Sequence, residues 1–270
     1  MSLIVLLLVG TKETFGKRNY TDSMKEVTFL TEDACNLSVK SNSVDLIVTA
    51  PPYITVDVER YGGNNTKQIN YGQDFKKTLK LLLKATKEME RVLKPTGSIV
   101  IDITHKMNMP YHYVSEVLSK TGLYLANPPF IQDYYQDSFN FNKETLKNSY
   151  AYWFHFVRDP NKMYNNPFMV KRYSDNIWTI PWENEEDREM NKNLDLIGWV
   201  SDSMNPEVPK RFIEMFSKPG DTVLDSFGGT GTVACVAHVN NRHAITNDVS
   251  EVQTKIAKKR LELYQERGRK

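Results

Sequence analysis

Asp45-Leu46-Ile47-Val48-Thr49-Ala50-Pro51-Pro52-Tyr53 is an apolar run that stops at two prolines and an aromatic ring. Leu46, Ile47 and Val48 carry large aliphatic side chains with no polar alternation, the pattern of a strand covered on both faces in a parallel sheet. Pro51 and Pro52 can neither donate to a ladder nor enter a helix interior, so the chain must leave the sheet extended. Tyr53 is then presented at the carboxyl end of a strand, the edge where open α/β sheets bind ligands. A rigid diproline beside an aromatic face makes a clamp for a flat substrate. The alternative is a Pro-rich turn with a packed tyrosine, and the rest of the chain has to separate the two.

Downstream, Phe75, Leu79, Leu82, Leu83, Met89, Val92 and Leu93 recur at helical spacing. The spacing predicts a helix over 75–93, with Lys76, Lys77, Lys80, Lys84 and Lys87 on a solvated face. Lys94-Pro95-Thr96-Gly97 should end it, and 98–103 reads as the next buried strand, giving a βαβ unit with the opening strand. Between Tyr53 and Asp74 lies a segment with Gly62, Gly63, Asn64, Asn65 and Gly72 and with Arg60, Tyr61, Lys67 and Tyr71. Aperiodic segments of this length are usually functional or disordered. Because it follows the strand edge, it is expected to be a mobile lid in which Arg60, Tyr61 and Lys67 meet phosphates and bases. Upstream, 27–30 is a strand candidate that puts Asp33 at a sheet edge, unless that acid merely caps a turn.

The chain has 270 residues, 40% hydrophobic and 25% charged, with a net charge of +2. This is the composition of a folded globular protein, and any nucleic-acid surface must be a local basic patch. Cys35 and Cys235 match no metal-ligand spacing, so free thiols in a reducing compartment are expected, with no metal site. Residues 2–9 are apolar but too few for a membrane span of ~20 residues. They also lack a basic leader and a cleavage site. Residues 1–26 are therefore read as an arm, and the protein as cytoplasmic, with no membrane partner.

A helix is expected over 111–119, strand-like segments over 123–131 and 150–157, and a helix over 209–216. Residues 132–200 are largely polar and aperiodic, with Lys171 and Arg172 among amides and aromatics of the kind that read base edges and stack on bases. Then comes Lys218-Pro219-Gly220-Asp221-Thr222-Val223-Leu224-Asp225-Ser226-Phe227-Gly228-Gly229-Thr230-Gly231-Thr232, followed by an apolar helix over 233–239 and a strand over 243–246. Strand, glycine turn and helix offer a ligand close backbone approach and free N–H groups. Asp248 lies 23 residues beyond Asp225, the offset at which an acid accepts ribose hydroxyls. A dinucleotide site would carry G-x-G-x-x-G facing a pyrophosphate. Here Asp225 heads the turn, where it would repel a pyrophosphate but suit the amino group of S-adenosylmethionine (AdoMet), which favours methyl transfer over hydride transfer.

Thr49-Ala50-Pro51-Pro52-Tyr53 and Asp225-Ser226-Phe227-Gly228-Gly229-Thr230-Gly231 together resemble the catalytic and cofactor motifs of the DNA amino-methyltransferases that modify N6 of adenine or N4 of cytosine. The order, catalytic motif first, resembles the β class; relatives acting on protein glutamine or RNA usually place the cofactor motif first. The similarity continues through 91–98, 205–209 and 242–248 and covers roughly 27–262. It implies a Rossmann-like α/β fold with a mostly parallel twisted sheet, helices on both faces and a permuted motif order. The catalytic half would occupy 27–131, an inserted target-recognition region 132–200 and the AdoMet-binding half 201–270.

By the same resemblance Asp225, Ser226, Phe227, Gly228, Gly229, Thr230 and Gly231 line the methionine part of AdoMet, Asp248 holds the ribose and Asp33 lies near the adenine ring. Glu32 stands where the family has glycine, Asn205 where histidine is common and Ser226 where proline is common. The implied partner is double-stranded DNA; a homodimer and a cognate restriction endonuclease are left open.

The target base must leave the stack, because its amino group is inaccessible in the duplex, and Tyr53 would stack on it. In the family an Asp, Asn or Ser before Pro-Pro and the following proline carbonyl draw on the amino hydrogens. Here that position is Ala50, which has no side-chain acceptor. Either the Pro51 carbonyl suffices, helped by Thr49 or a lid group, or the enzyme is slow, or the chain is a non-enzymatic AdoMet- and DNA-binding relic. The first is favoured because the cofactor turn and the lid are both intact. Thr49 and the small residue at 50 resemble the Thr-Ser-Pro-Pro-Tyr of cytosine-N4 enzymes more than the Asp-Pro-Pro-Tyr of adenine enzymes, a slight lean to cytosine.

Overall fold

The opening stretch forms β2 (Val44–Thr49), in the middle of the sheet, with Val44, Leu46, Ile47 and Val48 fully buried. The computed structural model describes residues 25–52, 74–103, 109–134, 150–181, 185–194 and 203–267. β2 is paired in parallel on one side with β3 (Leu93–Asp102) and on the other with β8 (Thr222–Asp225). Beyond β8 come β9 (His243–Asn247) and β1 (Val27–Leu30), both parallel. Five parallel strands therefore put the ends of β2, β8, β9, β1 and β3 at one edge. Beyond β3 the pairing turns antiparallel with β6 (Tyr150–Val157), then β5 (Phe130–Asp133), with β7 (Ile177–Thr179) parallel to β5 and the short β4 (Tyr124–Leu125) also on β6.

Alternation along β2 and β3 divides the core. Ile47, Ile99 and Ile101 face α1 (Phe75–Val92) and α2 (Met109–Lys120), where Leu82, Met89 and Tyr113 pack. Leu46, Val48 and Val100 face α5 (Glu207–Phe216) and α6 (Thr232–Val239), through Phe212, Val233 and Ala237. A third cluster joins α4 (Glu185–Leu194) to α7 (Glu251–Arg267) through Met190, Leu194 and Ile256. The remaining helix, α3 (Pro167–Arg172), is short and has no buried residue.

Most elements fall where the pattern put them, with three physical differences. α1 passes into β3 at Leu93 without a separate turn, and the register with β2 shifts between Val44 and Leu46 to absorb the extra residues. Gly97 lies in that irregularity, where a Cβ would stand 2.8 Å from the Asp45 carbonyl. The strand-like 123–131 divides into β4 and β5, because Pro128 and Pro129 cannot continue a ladder. From the polar stretch 132–200, β6 and β7 belong to the main sheet. Among the described residues no helix is long and apolar enough to cross a membrane. Cys35 and Cys235 are free and buried.

Candidate active site

The site is the edge where β2 and β8 end side by side. Asp225 closes β8 with 4% of its surface exposed. Its Oδ1 accepts from the Thr49 hydroxyl at 2.6 Å and from the Phe227 N–H at 3.1 Å, while Thr49 Oγ1 itself accepts from that N–H at 3.2 Å. The end of the proline-motif strand and the head of the glycine turn are thus joined by a buried three-way hydrogen bond. The hydroxyl proton of Thr49 and one of its two lone pairs are engaged in this clasp.

The turn is built for close approach. Gly228 has no room for a side chain, since a Cβ would fall 1.9 Å from Thr246 Oγ1. Gly229 (φ +47°) and Gly231 (φ +81°) are left-handed; beyond the Cα of Gly229 there is open space, whereas at Gly231 a Cβ would strike Ala257 of α7 at 2.6 Å. Gly231 N–H bonds back to the Gly228 carbonyl at 2.7 Å and the residue caps the start of α6. Ser226 is fully buried, and its Oγ has no hydrogen-bond partner among the described residues. The Thr230 carbonyl accepts from buried Arg260 Nε at 2.8 Å, and its hydroxyl lies 2.8 Å from Ser203 Oγ.

Asp248 follows β9 and reaches back to the turn. Its Oδ2 accepts from Gly229 N–H at 3.0 Å and its Oδ1 from Ser250 N–H at 2.8 Å. Burial raises its pKa to about 6 against these two donors. Burial also raises Asp225 to about 7, opposed by the Thr49 and Phe227 bonds and reinforced by the Asp248 charge. Two carboxylates held above their ordinary range by desolvation, Asp225 also by the charge of Asp248, are relieved by a cation. Asp33 follows β1; its Oδ1 accepts from Cys35 N–H at 2.8 Å, so it caps its own turn. Asn247 fastens that loop to the glycine turn, its amide bonding Glu32 N–H and the carbonyls of Glu32 and Ser226 at 3.0, 3.1 and 3.2 Å.

At the end of β2, Ala50 is half-buried against the α5/α6 core, Pro51 is buried and Pro52 half-buried. Tyr53, Arg60, Tyr61, Lys67 and the lid expected around them lie outside the described residues. Lys171 and Arg172 are exposed on α3, which is anchored by Asn166 N–H on the Met215 carbonyl and Tyr173 Oη on Glu214, with the preceding Tyr164 N–H on the Thr96 carbonyl. These contacts lie on the flank of α5 and near the start of β3, so the structure does not bring the two residues to the motif edge. Asn205 bonds the Pro181 carbonyl at 2.9 Å and Glu207 N–H at 3.0 Å, fixing the start of α5.

The sequence reading assigned no role to Asn247, Arg260 or Asp102. Arg260, 1% exposed within a helix that is otherwise rich in exposed charges, is the kind of residue only burial reveals. Asp102 ends β3 beside β2 and is 3% exposed.

A family model described as DNA methylase, covering N6 and N4 methyltransferases, matches residues 44–259. The chain belongs to this family. The methylase is 28% identical over 259 residues to the orphan methyltransferase M.BamHII of Bacillus amyloliquefaciens, covering 82% of this chain and 90% of that protein. It is 29% identical over 243 residues to the type II methyltransferase M.HpaI of Haemophilus parainfluenzae, covering 83% and 70%. Among solved structures, the PvuII DNA methyltransferase (cytosine-N4-specific) superimposes with a TM-score of 0.69 at 19% identity over 90% of this chain and 92% of that one. A DNA modification methylase of Thermus thermophilus, complexed with AdoMet, gives 0.61 at 21% identity over 88% and 93%. The fold is therefore the Rossmann-like methyltransferase fold, and AdoMet is the cofactor. The raised carboxylates suit the ammonium and sulfonium of AdoMet, and the open space at Gly229 admits a ligand to the backbone.

Proposed function

We propose that this methylase moves a methyl group from AdoMet to the exocyclic amino nitrogen of a base flipped from duplex DNA, N4 of cytosine. The observation that carries the reading is the Thr49–Asp225 bond, which locks the Pro-Pro strand end to the cofactor turn. Asp225 takes the ammonium of AdoMet, Asp248 the ribose hydroxyls through its remaining lone pairs, and Asp33 stands at the adenine side. Bound there, AdoMet supplies a methyl group on a sulfonium, a strong electrophile. The chain has to orient the amine: Tyr53 stacks on the base, and the Pro51 carbonyl accepts one amino hydrogen and turns the nitrogen lone pair toward the sheet edge.

The choice of cytosine rests on Thr49 with a small residue at 50, and is supported by the likeness to a structure named for cytosine N4. In this reading 27–131 and 201–270 supply catalysis and cofactor binding. Because β6 and β7 belong to the sheet, target recognition falls to the parts of 132–200 around them, with Lys171 and Arg172 as outer contacts rather than base contacts. Nucleoside mass spectrometry of DNA treated with the protein and AdoMet tests the reading: N4-methylcytosine is expected, and N6-methyladenine would overturn the choice of base.

A further inference from the structure

The glycine turn is held from α7 by a residue outside both motifs. Arg260 is 1% exposed, and its Nε donates to the Thr230 carbonyl at 2.8 Å. Its Nη2 donates to Asn191 Oδ1 at 2.7 Å and to Ser203 Oγ at 3.0 Å, while Nη1 faces Met190 Sδ at 3.9 Å. Ser203 Oγ lies 2.8 Å from Thr230 Oγ1. One guanidinium therefore reaches Thr230 twice, directly at the carbonyl and through Ser203 at the hydroxyl. Asn191 and Ser203 are buried as well.

Ala257 and Arg260 are three residues apart on α7 and so share a helical face. A Cβ on Gly231 would strike Ala257 at 2.6 Å, so this face gives the turn a small residue to rest on and a planar group of five donors to bond to. The charge also reaches α6, where it opposes the upward push of burial on the Cys235 thiol. One residue earlier, Gly229 N–H is held by Asp248. The turn thus has a fixed point on each side of the backbone that bounds the open space at Gly229. The outer end of the network is α4, which carries Asn191 and packs on α7 through Met190, Leu194 and Ile256. A guanidinium this deep carries a desolvation cost that an apolar side chain would not, which points to its donors rather than to its packing.

We infer, resting on the reading that AdoMet binds at the glycine turn, that Arg260 is a positioning residue for the cofactor. It holds Thr230 and Gly231 in the geometry that receives AdoMet, and it hangs the turn on Asn191, a residue of the 132–200 stretch. AdoMet affinity then depends on α4, which contributes nothing to the cofactor motif. Without the guanidinium, ordering of the turn has to accompany binding, and the affinity falls by that amount. The groups at the end of β2 are untouched, so the rate at saturating AdoMet is kept.

The test uses Arg260→Met, Arg260→Lys and Asn191→Leu, with Met89→Ala in the core on the other face of the sheet as a control. Each is followed by a melting curve, AdoMet calorimetry, and kcat and KM for AdoMet in methyl transfer to unmethylated bacteriophage DNA. Arg260→Met is expected to raise Kd and KM for AdoMet roughly 10- to 100-fold with kcat close to the parent's. Arg260→Lys, a point charge with fewer donors, should recover part of the affinity, and Asn191→Leu should weaken it about three- to tenfold. Met89→Ala should melt lower and bind AdoMet like the parent. Parental AdoMet affinity in Arg260→Met would overturn the proposal or, where that variant does not fold, parental affinity in both Arg260→Lys and Asn191→Leu. So would a fall in kcat at unchanged KM, or an equal loss of affinity in Met89→Ala. Parental AdoMet affinity in Asp225→Asn would instead overturn the reading that places AdoMet at the turn.

Discussion

β8 and β2 end side by side at the same sheet edge and are equipped in opposite ways. β8 ends in its own buried carboxylate, and within seven residues the chain adds the left-handed glycines and the start of α6. β2 ends in Thr49-Ala50-Pro51, gives its one hydroxyl to Asp225, and keeps only a carbonyl for chemistry. The β8 end carries its own acid and its own turn, although Thr49 and Asp248 fasten both from neighbouring strands. The glycine turn is thus contiguous chain, whereas the end of β2 is fixed by the strand beside it.

Removing the acid that ends β8 should have the largest effect. Asp225→Asn is expected to weaken AdoMet binding by about 2–4 kcal/mol in calorimetry, since a buried charged partner is lost. The same variant should melt higher than the parent without ligand at pH 8, because the neutral amide has no desolvated charge to hold. Parental affinity would move the ammonium site elsewhere.

The pH response sharpens the comparison from the same side. Asp225 and Asp248 are raised to about 7 and about 6. The stability they contribute to the unliganded fold is therefore present below the ordinary carboxylate range and is lost as pH rises through about 6 to 7. A cation favours the ionised forms, so AdoMet binding should release protons and tighten by up to about tenfold per pH unit between pH 5.5 and 7, then level off. Asp225→Asn should flatten most of this slope; an unchanged slope would place the titration on other groups.

The clasp between the two ends gives a smaller effect. Thr49→Val leaves the Asp225 carboxylate without its hydroxyl donor and should cost about 1–3 kcal/mol, divided between AdoMet affinity and turnover, while Thr49→Ser stays close to the parent. Equal behaviour of Val and Ser would reduce Thr49 to packing. Ala50→Ser is expected to raise turnover a few-fold, because it adds a side-chain acceptor beside the Pro51 carbonyl.

Legibility in the sequence follows the same division. The apolar run of β2, the helical spacing of α1 and the 225–248 unit were readable because each depends on residues near one another in the chain. The passage of α1 straight into β3 was not, since the shifted register at Val44 and Leu46 exists only in the pairing. The short α3 and β7 left no period long enough to detect. Thr49 as a clasp and Asn247 as a fastener between β1 and the turn both depend on which strands lie side by side. A residue's own position carries no mark of that.

The most direct measurement of the central claim is digestion to nucleosides, followed by mass spectrometry, of unmethylated bacteriophage DNA incubated with the protein and methyl-labelled AdoMet. Label is expected in N4-methylcytosine, present with the parent protein and strongly reduced with Asp225→Asn. Label confined to 5-methylcytosine, or none in DNA despite AdoMet bound at Asp225, would contradict it.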